Sequence, residues 1–531
     1  MTDHSDMSPA ESGRRQVFRA AGLVAALALF SRILGLVREM VVRQYLGVTT
    51  LEATAFDIAA RFPEAIFLIV AGGAIGSAFI PTFTAYFSRD DESGGWHLFS
   101  AVINLATIII TITSVLIMIF AVPIVTFFYA ENIARDPALL PLTVRLIRIM
   151  LLSPIIFGAS GIIMAALNAR QHFFLPAVAP SVYNIGIIIG GLIGALTGGT
   201  PLSTAIGLAW GTVAGALGHL LVQLPGLRVR QARYRPVLTL RDPGVRQVLR
   251  LMGPRVLGLS FSEINKFIIL YLTGAMTRGS LPVLNTAFRI LIMPQGILGQ
   301  ALGIAAFPTL AEMAARSAHP EMRRIIRDSI RLILFLGLPA TVLLILLAEP
   351  YVTVLFQRGL FDAEATSLVT TALQFYAIGL IGLTALEVVA RAFYSLSDTL
   401  TPVLAGGLQI AAMWMLSLWF RDTVFPALGW EPVGGLALGF SLSNMVEVGV
   451  LLWLIRRRLG GLEGRSLLSG LLRMGTASVL MVPAILMLLR AAPAASPLLQ
   501  AIAGTLAGAA VYILASWLLH IDELRQIAHL I

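Results

Sequence analysis

Long apolar runs, recurring from one end of the chain to the other, limit the fold more than any other feature of this sequence. A helix rises about 1.5 Å per residue, so about 20 apolar residues cross a hydrocarbon layer roughly 30 Å thick. By that measure the chain holds fourteen spans, near residues 17–46, 52–86, 98–128, 141–168, 175–198, 202–225, 247–276, 281–315, 326–348, 364–395, 400–420, 432–455, 467–490 and 497–520. Inside such a layer every backbone amide must be bonded within the protein, which a helix achieves alone. Composition closes the soluble alternatives. Of the 531 residues 57% are apolar and only 12% charged, about half the charge density of an ordinary soluble domain. A soluble enzyme, a nucleic-acid-binding protein and a disordered scaffold are excluded. The expected fold class is an all-α polytopic membrane protein with 14 transmembrane helices.

Arginine placement orients the spans. Cytoplasmic loops collect basic residues, and here Arg228, Arg230, Arg233, Arg235, Arg241, Arg246 and Arg250 follow span six. Arg316, Arg323, Arg324, Arg327 and Arg331 follow span eight, and Arg456, Arg457, Arg458 and Arg465 follow span twelve. The alternate loops hold mostly single arginines, so both termini are expected on the cytoplasmic side. A polar stretch of about 18 residues precedes the first span, which Arg32 and Arg38 interrupt, so no cleavable signal is expected. Cysteine is absent and the histidines form no HxxxH pair; thiol chemistry is excluded and no metal site is expected.

The first twelve spans read as a duplication. Pro81 in Phe79-Ile80-Pro81-Thr82 and Pro308 in Phe307-Pro308-Thr309 lie 227 residues apart, and Pro176 and Pro402 lie 226 apart. Two matches at nearly one offset predict two six-helix lobes of shared orientation, related by an axis along the membrane normal. The boundaries follow: 1–227 for the first lobe, 228–246 for a basic cytoplasmic linker, 247–460 for the second lobe and 461–531 for two additional helices. Gly186, Gly190, Gly194 and Gly198 in span five, with Gly207, Gly211 and Gly215 in span six, predict close helix packing. Gly72, Gly73 and Gly76, flanked by Pro63 and Pro81, predict a bent or moving element in span two.

Charges inside spans require a polar destination, at about 2.5–3.5 kcal/mol for a basic residue at a helix centre. Glu39 and Arg43, Asp57 and Arg61, and Glu387 and Arg391 are each spaced i,i+4 and can satisfy one another. Glu263 and Lys266, spaced i,i+3, lie deep in span seven. Arg32 in span one and Arg289 in span eight have no acidic residue one turn away. Positive charge placed deep in both lobes suits an anion cavity, because the planar guanidinium grips phosphate or carboxylate by two bonds. Glu447, beside Asn444 in span twelve, is a weaker candidate for holding a cation or a proton.

Several of these segments resemble one family. Ser31-Arg32-Ile33-Leu34-Gly35-Leu36-Val37-Arg38-Glu39 resembles the opening signature of the MurJ/MviN lipid II flippases. Also similar are Ala78-Phe79-Ile80-Pro81, Leu175-Pro176-Ala177-Val178-Ala179-Pro180 with Asn184, Arg289 with Met293-Pro294-Gln295-Gly296-Ile297-Leu298-Gly299, and Arg391-Ala392-Phe393-Tyr394 with Asp398-Thr399-Leu400-Thr401-Pro402. The resemblance implies a fold of the MOP exporter superfamily, two six-helix lobes in a V around a cationic cavity, with the two extra helices building a groove for a polyprenyl tail. It implies substrate binding by Arg32, Arg38 and Arg289, with Glu39 where the family usually has Asp. This chain departs from the pattern at Phe67, where the family has an arginine, at Thr54 and Gly72, where it has acidic residues, and at Ile269, where several members carry a carboxylate linked to sodium. Lys266 or Arg61 is expected to supply the missing charge.

The implied activity is export of lipid II, a peptidoglycan precursor, from the inner to the outer leaflet of the bacterial cytoplasmic membrane by alternating access. The partners are lipid II or a related polyprenyl-pyrophosphate glycolipid, membrane lipid and proteins of cell-wall synthesis, with no nucleic acid. No GxxxxGK[ST] run is present, so no nucleotide drives transport; the expected source is the membrane potential or a Na+ or H+ gradient. The alternatives are a flippase for another lipid-linked oligosaccharide, a MATE-like antiporter, or a transport-inactive paralogue scaffolding cell-wall machinery. No catalysis is expected.

Overall fold

The computed structural model describes residues 9–70, 74–491 and 493–528, and among them there are helices and turns but no strand. The chain divides into two compact units, Met1–Glu263 with Thr273–Gly279, and Ile264–Leu272 with Ser280–Ile531. Among the described residues ten helices are long and apolar enough to cross a membrane, and a helix pair bent by 43° at Gly379 meets the same requirement when taken together.

The first unit contains α1 (Pro9–Leu46), α2 (Leu51–Val70), α3 (Ala74–Phe87), α4 (Glu92–Ile119), α5 (Ala121–Arg135), α6 (Leu139–Met150), α7 (Leu152–Ala169), α8 (Phe174–Gly198), α9 (Pro201–Leu221), α10 (Leu224–Val229) and most of α11 (Pro243–Gly274). Of the glycines expected to bend span two, Gly72 and Gly73 lie outside the described residues. Phe79, Phe83, Trp96 and Phe99 interlock as a ring stack under α7, which accounts for the aromatic residue of the Ala78-Phe79-Ile80-Pro81 segment. The basic stretch after α10 is extended and tied to α4. The Arg235 amide donates to Ser100 Oγ at 3.0 Å, and Asn104 Nδ2 donates to the Val237 carbonyl at 2.9 Å.

The span-five and span-six glycines pack backbone on backbone. A methyl at Gly190 would strike the Gly207 carbonyl and Gly211, and one at Gly186 would strike Gly215. Between the two helices, Gly199 takes φ +63° and Thr200 forms a capping box with Ser203 before Pro201 opens α9. Glycine suits that left-handed position because it has no Cβ.

The second unit contains the rest of α11, then α12 (Ser280–Gln295), α13 (Ala301–Ala315), α14 (His319–Leu346), α15 (Ala348–Phe356), α16 (Ala363–Ile378), α17 (Leu380–Ser395), α18 (Leu400–Trp419), α19 (Phe425–Ala427), α20 (Pro432–Leu459), α21 (Gly464–Ala491), α22 (Pro497–Leu518) and α23 (Asp522–Ala528). Pro294 lacks an amide N–H, and the helix loosens just after it into a π turn at Gly296–Gln300, a geometry associated with interruptions of the regular ladder. Gly303 lets Arg391 pass close to α13. Asp398 starts α18 by accepting from the Thr401 amide at 3.0 Å and the Thr401 hydroxyl at 2.8 Å. The matched prolines Pro176 and Pro402 each occupy the third position of their helix, within the first turn, where a missing N–H costs nothing. The last two long helices, α21 and α22, pack on α14 through Met474, Met481, Ile485 and Tyr512, and the Tyr512 hydroxyl donates to the Phe335 carbonyl at 2.6 Å.

Candidate substrate site

On α1 the charged residues have different surroundings. Arg43 is 2% exposed. Its Nε donates to Glu39 at 2.9 Å, and its Nη2 donates to both oxygens of Asp57 at 3.2 and 2.9 Å. The i,i+4 pairing of Glu39 with Arg43 is as expected from spacing, while the bond to α2 comes from packing. Asp57 and Arg61 were expected to pair with each other; the bonds described for them run elsewhere, Asp57 to Arg43 and Arg61 to Glu64 at 3.2 Å. Glu39 is buried and held by Arg43.

Five residues before Arg43, Arg38 is half-buried and reaches α8, where its Nη1 donates to Asn184 Oδ1 at 3.1 Å. The Asn184 amide nitrogen faces the Pro180 carbonyl at 3.2 Å and the Ser31 carbonyl at 3.4 Å. That leaves its oxygen for Arg38. Arg32 is exposed further up the same helix. Neither Arg32 nor Arg38 is isolated, and each takes part in further interactions.

Two of the positions where this chain departs from that resemblance, Phe67 and Thr54, have local partners. The Phe67 ring lies 4.6 Å from that of Phe157, so an apolar contact stands where the family places a charge. The Thr54 hydroxyl donates to the Thr50 carbonyl at 3.1 Å and accepts from the Gly279 amide at 3.2 Å. Ile269 is buried, and Gly72 lies outside the described residues.

In the second unit Lys266 and Arg289 are half-buried and both engage other groups; Arg289 stands one turn before Pro294 and the π turn. Glu387 and Arg391 pair as their spacing predicts, and Gln295 Nε2 reaches Glu387 at 3.4 Å. Asn444 donates to the Phe440 carbonyl one turn back, at 2.8 Å. Glu447 is 8% exposed and, among the described residues, makes no hydrogen bond or ion pair; it faces Gly406 of α18. A neutral chain that the sequence reading missed joins three helices. Asn265 Nδ2 donates to Gln409 Oε1 at 2.9 Å, and Gln409 Nε2 donates to Ser443 Oγ at 3.0 Å. Also missed were Arg145 and Arg148, one turn apart on α6 and both exposed, although two arginines without a nearby acid inside an apolar run are visible in the sequence.

Chemically, α1 offers one guanidinium locked between carboxylates, Arg43, and another, Arg38, that donates to a neutral side-chain amide. The bond to Asn184 can be exchanged for one to an incoming anion at lower cost, because the partner it leaves is neutral. A family model described as lipid II flippase MurJ matches residues 42–498. The lipid II flippase MurJ of Burkholderia cenocepacia is 29% identical over 391 residues, covering 73% of this chain and 75% of its own. Among solved structures, a lipid II flippase MurJ in an inward closed conformation superposes with a TM-score of 0.77 at 24% identity, covering 94% of this chain and 99% of the other. An inward-facing multidrug resistance MATE transporter of the MOP superfamily superposes at 0.67 with 15% identity, covering 84% and 99%; both likenesses concern the fold. With more than four-fifths of its length inside the family match, this chain belongs to the lipid II flippase MurJ family.

Proposed function

We propose that this protein moves lipid II from the inner to the outer leaflet of the bacterial cytoplasmic membrane, without chemical change to the substrate. Family membership carries the reading, and the side-chain arrangement on α1 supports it. Pyrophosphate needs forked cationic donors. Arg32, Arg38 and Arg289 are the residues assigned to it, with Lys266 and Arg61 as the further cations. Arg38 is aimed by the neutral amide of Asn184.

The reading includes fourteen spans with both termini cytoplasmic. Among the described residues eleven of these spans meet the length and apolarity requirement, the bent pair counted as one. The other three are α1, α2 with α3, and α11, and these carry Arg32, Arg38, Glu39, Arg43, Asp57, Arg61, Glu263 and Lys266. Helices that line a polar path are the ones expected to fall short of full apolarity. Rocking of six-helix lobes 1–227 and 247–460 about the linker 228–246 supplies alternating access, and helices α21 and α22 receive the polyprenyl tail. The membrane potential, worth about 2.3 kcal/mol per charge per 100 mV, or an ion gradient sensed at Glu447 and Asn444, supplies direction.

The test is complementation in a bacterium depleted of its own lipid II flippase, scoring growth and externally accessible lipid II. Wild type is expected to restore both. Arg32→Ala, Arg38→Ala and Arg289→Ala, at matched membrane levels, are each expected to lower exposed lipid II at least tenfold. Failure of correctly inserted wild type to expose lipid II overturns the reading.

A further inference from the structure

The guanidinium pair on α6 has no role in the site above. Arg145 and Arg148 are both exposed, and among the described residues neither forms an ion pair; Arg148 Nε has one long bond to the Met118 carbonyl, at 3.4 Å. They line an open groove of about 680 Å³ whose other walls include Val122, Val144, Ile149 and Trp210. Among the described residues no carboxylate lines it. The volume falls within the range of about 300–1,000 Å³ common for small-molecule sites.

Depth makes this pair unusual. The rod formed by α6 and α7 runs 31 residues, Leu139–Ala169, or about 46 Å at about 1.5 Å per residue. Centred on a hydrocarbon layer of about 30 Å, it overshoots by about 8 Å at each end. Arg145, about 9 Å from Leu139, then falls where headgroups meet hydrocarbon, and Arg148, about 14 Å from Leu139, lies about 6 Å deeper than that level, within reach of it for a long side chain. Two like charges one turn apart on a helix repel each other. A single phosphate shared between them removes that repulsion and forms charge-assisted bonds with both. Trp210, 53% exposed on the groove wall, belongs to the residue type that anchors at this level of a membrane.

We propose that this groove binds one anionic phospholipid, its phosphate bridging Arg145 and Arg148 and one acyl chain lying along Val144, Ile149 and Trp210. The charge selects an anionic headgroup over a zwitterionic one, since the groove offers no carboxylate to a choline or an ammonium. The bound lipid holds α6 in a fixed relation to α9, whose Trp210 forms the opposite wall. This site depends only on α6 crossing the membrane and stands apart from lipid II transport.

The experiment uses the full-length protein in nanodiscs of phosphatidylcholine with graded phosphatidylglycerol. Native mass spectrometry reads retained lipid for wild type, for R145Q/R148Q, and for R456Q/R457Q, which loses equal charge elsewhere. Wild type and R456Q/R457Q are expected to retain phosphatidylglycerol at least threefold more than R145Q/R148Q does, with phosphatidylcholine retained equally by all three. A second readout compares tryptophan quenching by acyl-brominated phosphatidylglycerol in wild type and W210F. A smaller quench in W210F is expected, and this arm decides the matter if R145Q/R148Q fails to insert. Equal phosphatidylglycerol retention by R145Q/R148Q and wild type, or no change in quenching in W210F, overturns the proposal.

Discussion

Where α1 meets α2, two carboxylates converge on the single guanidinium of Arg43; where α11, α18 and α20 meet, Asn265, Gln409 and Ser443 bond one another without any charge, and Glu447 sits one turn further along α20 with no described partner. Both regions are buried and polar, yet they constrain the helices differently. A buried charge cluster holds because each member would be stranded without the others. A neutral chain exchanges one set of modest bonds for another, each worth about 0.5–1.5 kcal/mol net. The first arrangement fixes α1 against α2. The second allows its helices to shift at small cost, so among the described residues one region is locked by charge and the other joined by neutral bonds.

The largest effect should come from unlocking the first region. Arg43→Ala leaves Glu39 and Asp57 facing each other in a dry site, and is expected to cost about 3–5 kcal/mol of stability, read as a lowered melting temperature in nanodiscs. Combining Arg43→Met with Glu39→Gln and Asp57→Asn should recover more than half of that loss; an equally unstable triple variant would break the comparison, because the charge would then not be the source of the penalty. In the neutral region Gln409→Leu removes two bonds at once, with an expected cost of about 1–3 kcal/mol. Glu447→Gln loses no described bond and should shift stability by less than about 1 kcal/mol. If Glu447 couples transport to an ion, the same variant should flatten the dependence of lipid II export on that gradient.

The smallest effect is expected at the membrane surface. Hydrogen bonds from the Thr401 backbone amide and hydroxyl, with the Arg458 guanidinium, hold the Asp398 carboxyl below its usual range. A depressed carboxyl stabilises the fold above its unfolded pKa, and that contribution is lost as pH falls through the folded value. Asp398→Asn should therefore narrow the difference in melting temperature between neutral pH and the acid side of the carboxylate range. An unchanged difference would assign the acid sensitivity to other groups.

What could be read from the sequence follows the reach of a single helix. Glu39 with Arg43, and Glu387 with Arg391, were legible because one helical turn fixes their separation whatever packs around it. The glycines of α8 and α9 were legible for the same reason: a four-residue repeat defines a face. The Arg43–Asp57 bond joins helices whose relative rotation depends on packing, and spacing alone favoured Arg61 as the partner of Asp57. Asn265, Gln409 and Ser443 lie on three helices far apart in sequence, and none is charged enough to stand out inside an apolar run. Asn184 was recognised as part of a shared segment, but its role in aiming Arg38 required the position of α8. Among the described residues eleven apolar spans emerge directly from hydropathy, including the one bearing Arg289, whereas α1, α2 with α3, and α11 carry charges that weaken that signal.

The tight turn at Gly199 and Thr200 has a consequence for biogenesis. Helices α8 and α9 meet along glycine backbones and are joined with almost no intervening chain, so their mating surfaces need no later part of the protein. During synthesis they can enter the bilayer as a preassembled hairpin as soon as α9 leaves the ribosome. That hairpin already presents Asn184 on α8, so the residue that aims Arg38 is in place in the membrane before the second half of the protein has been made.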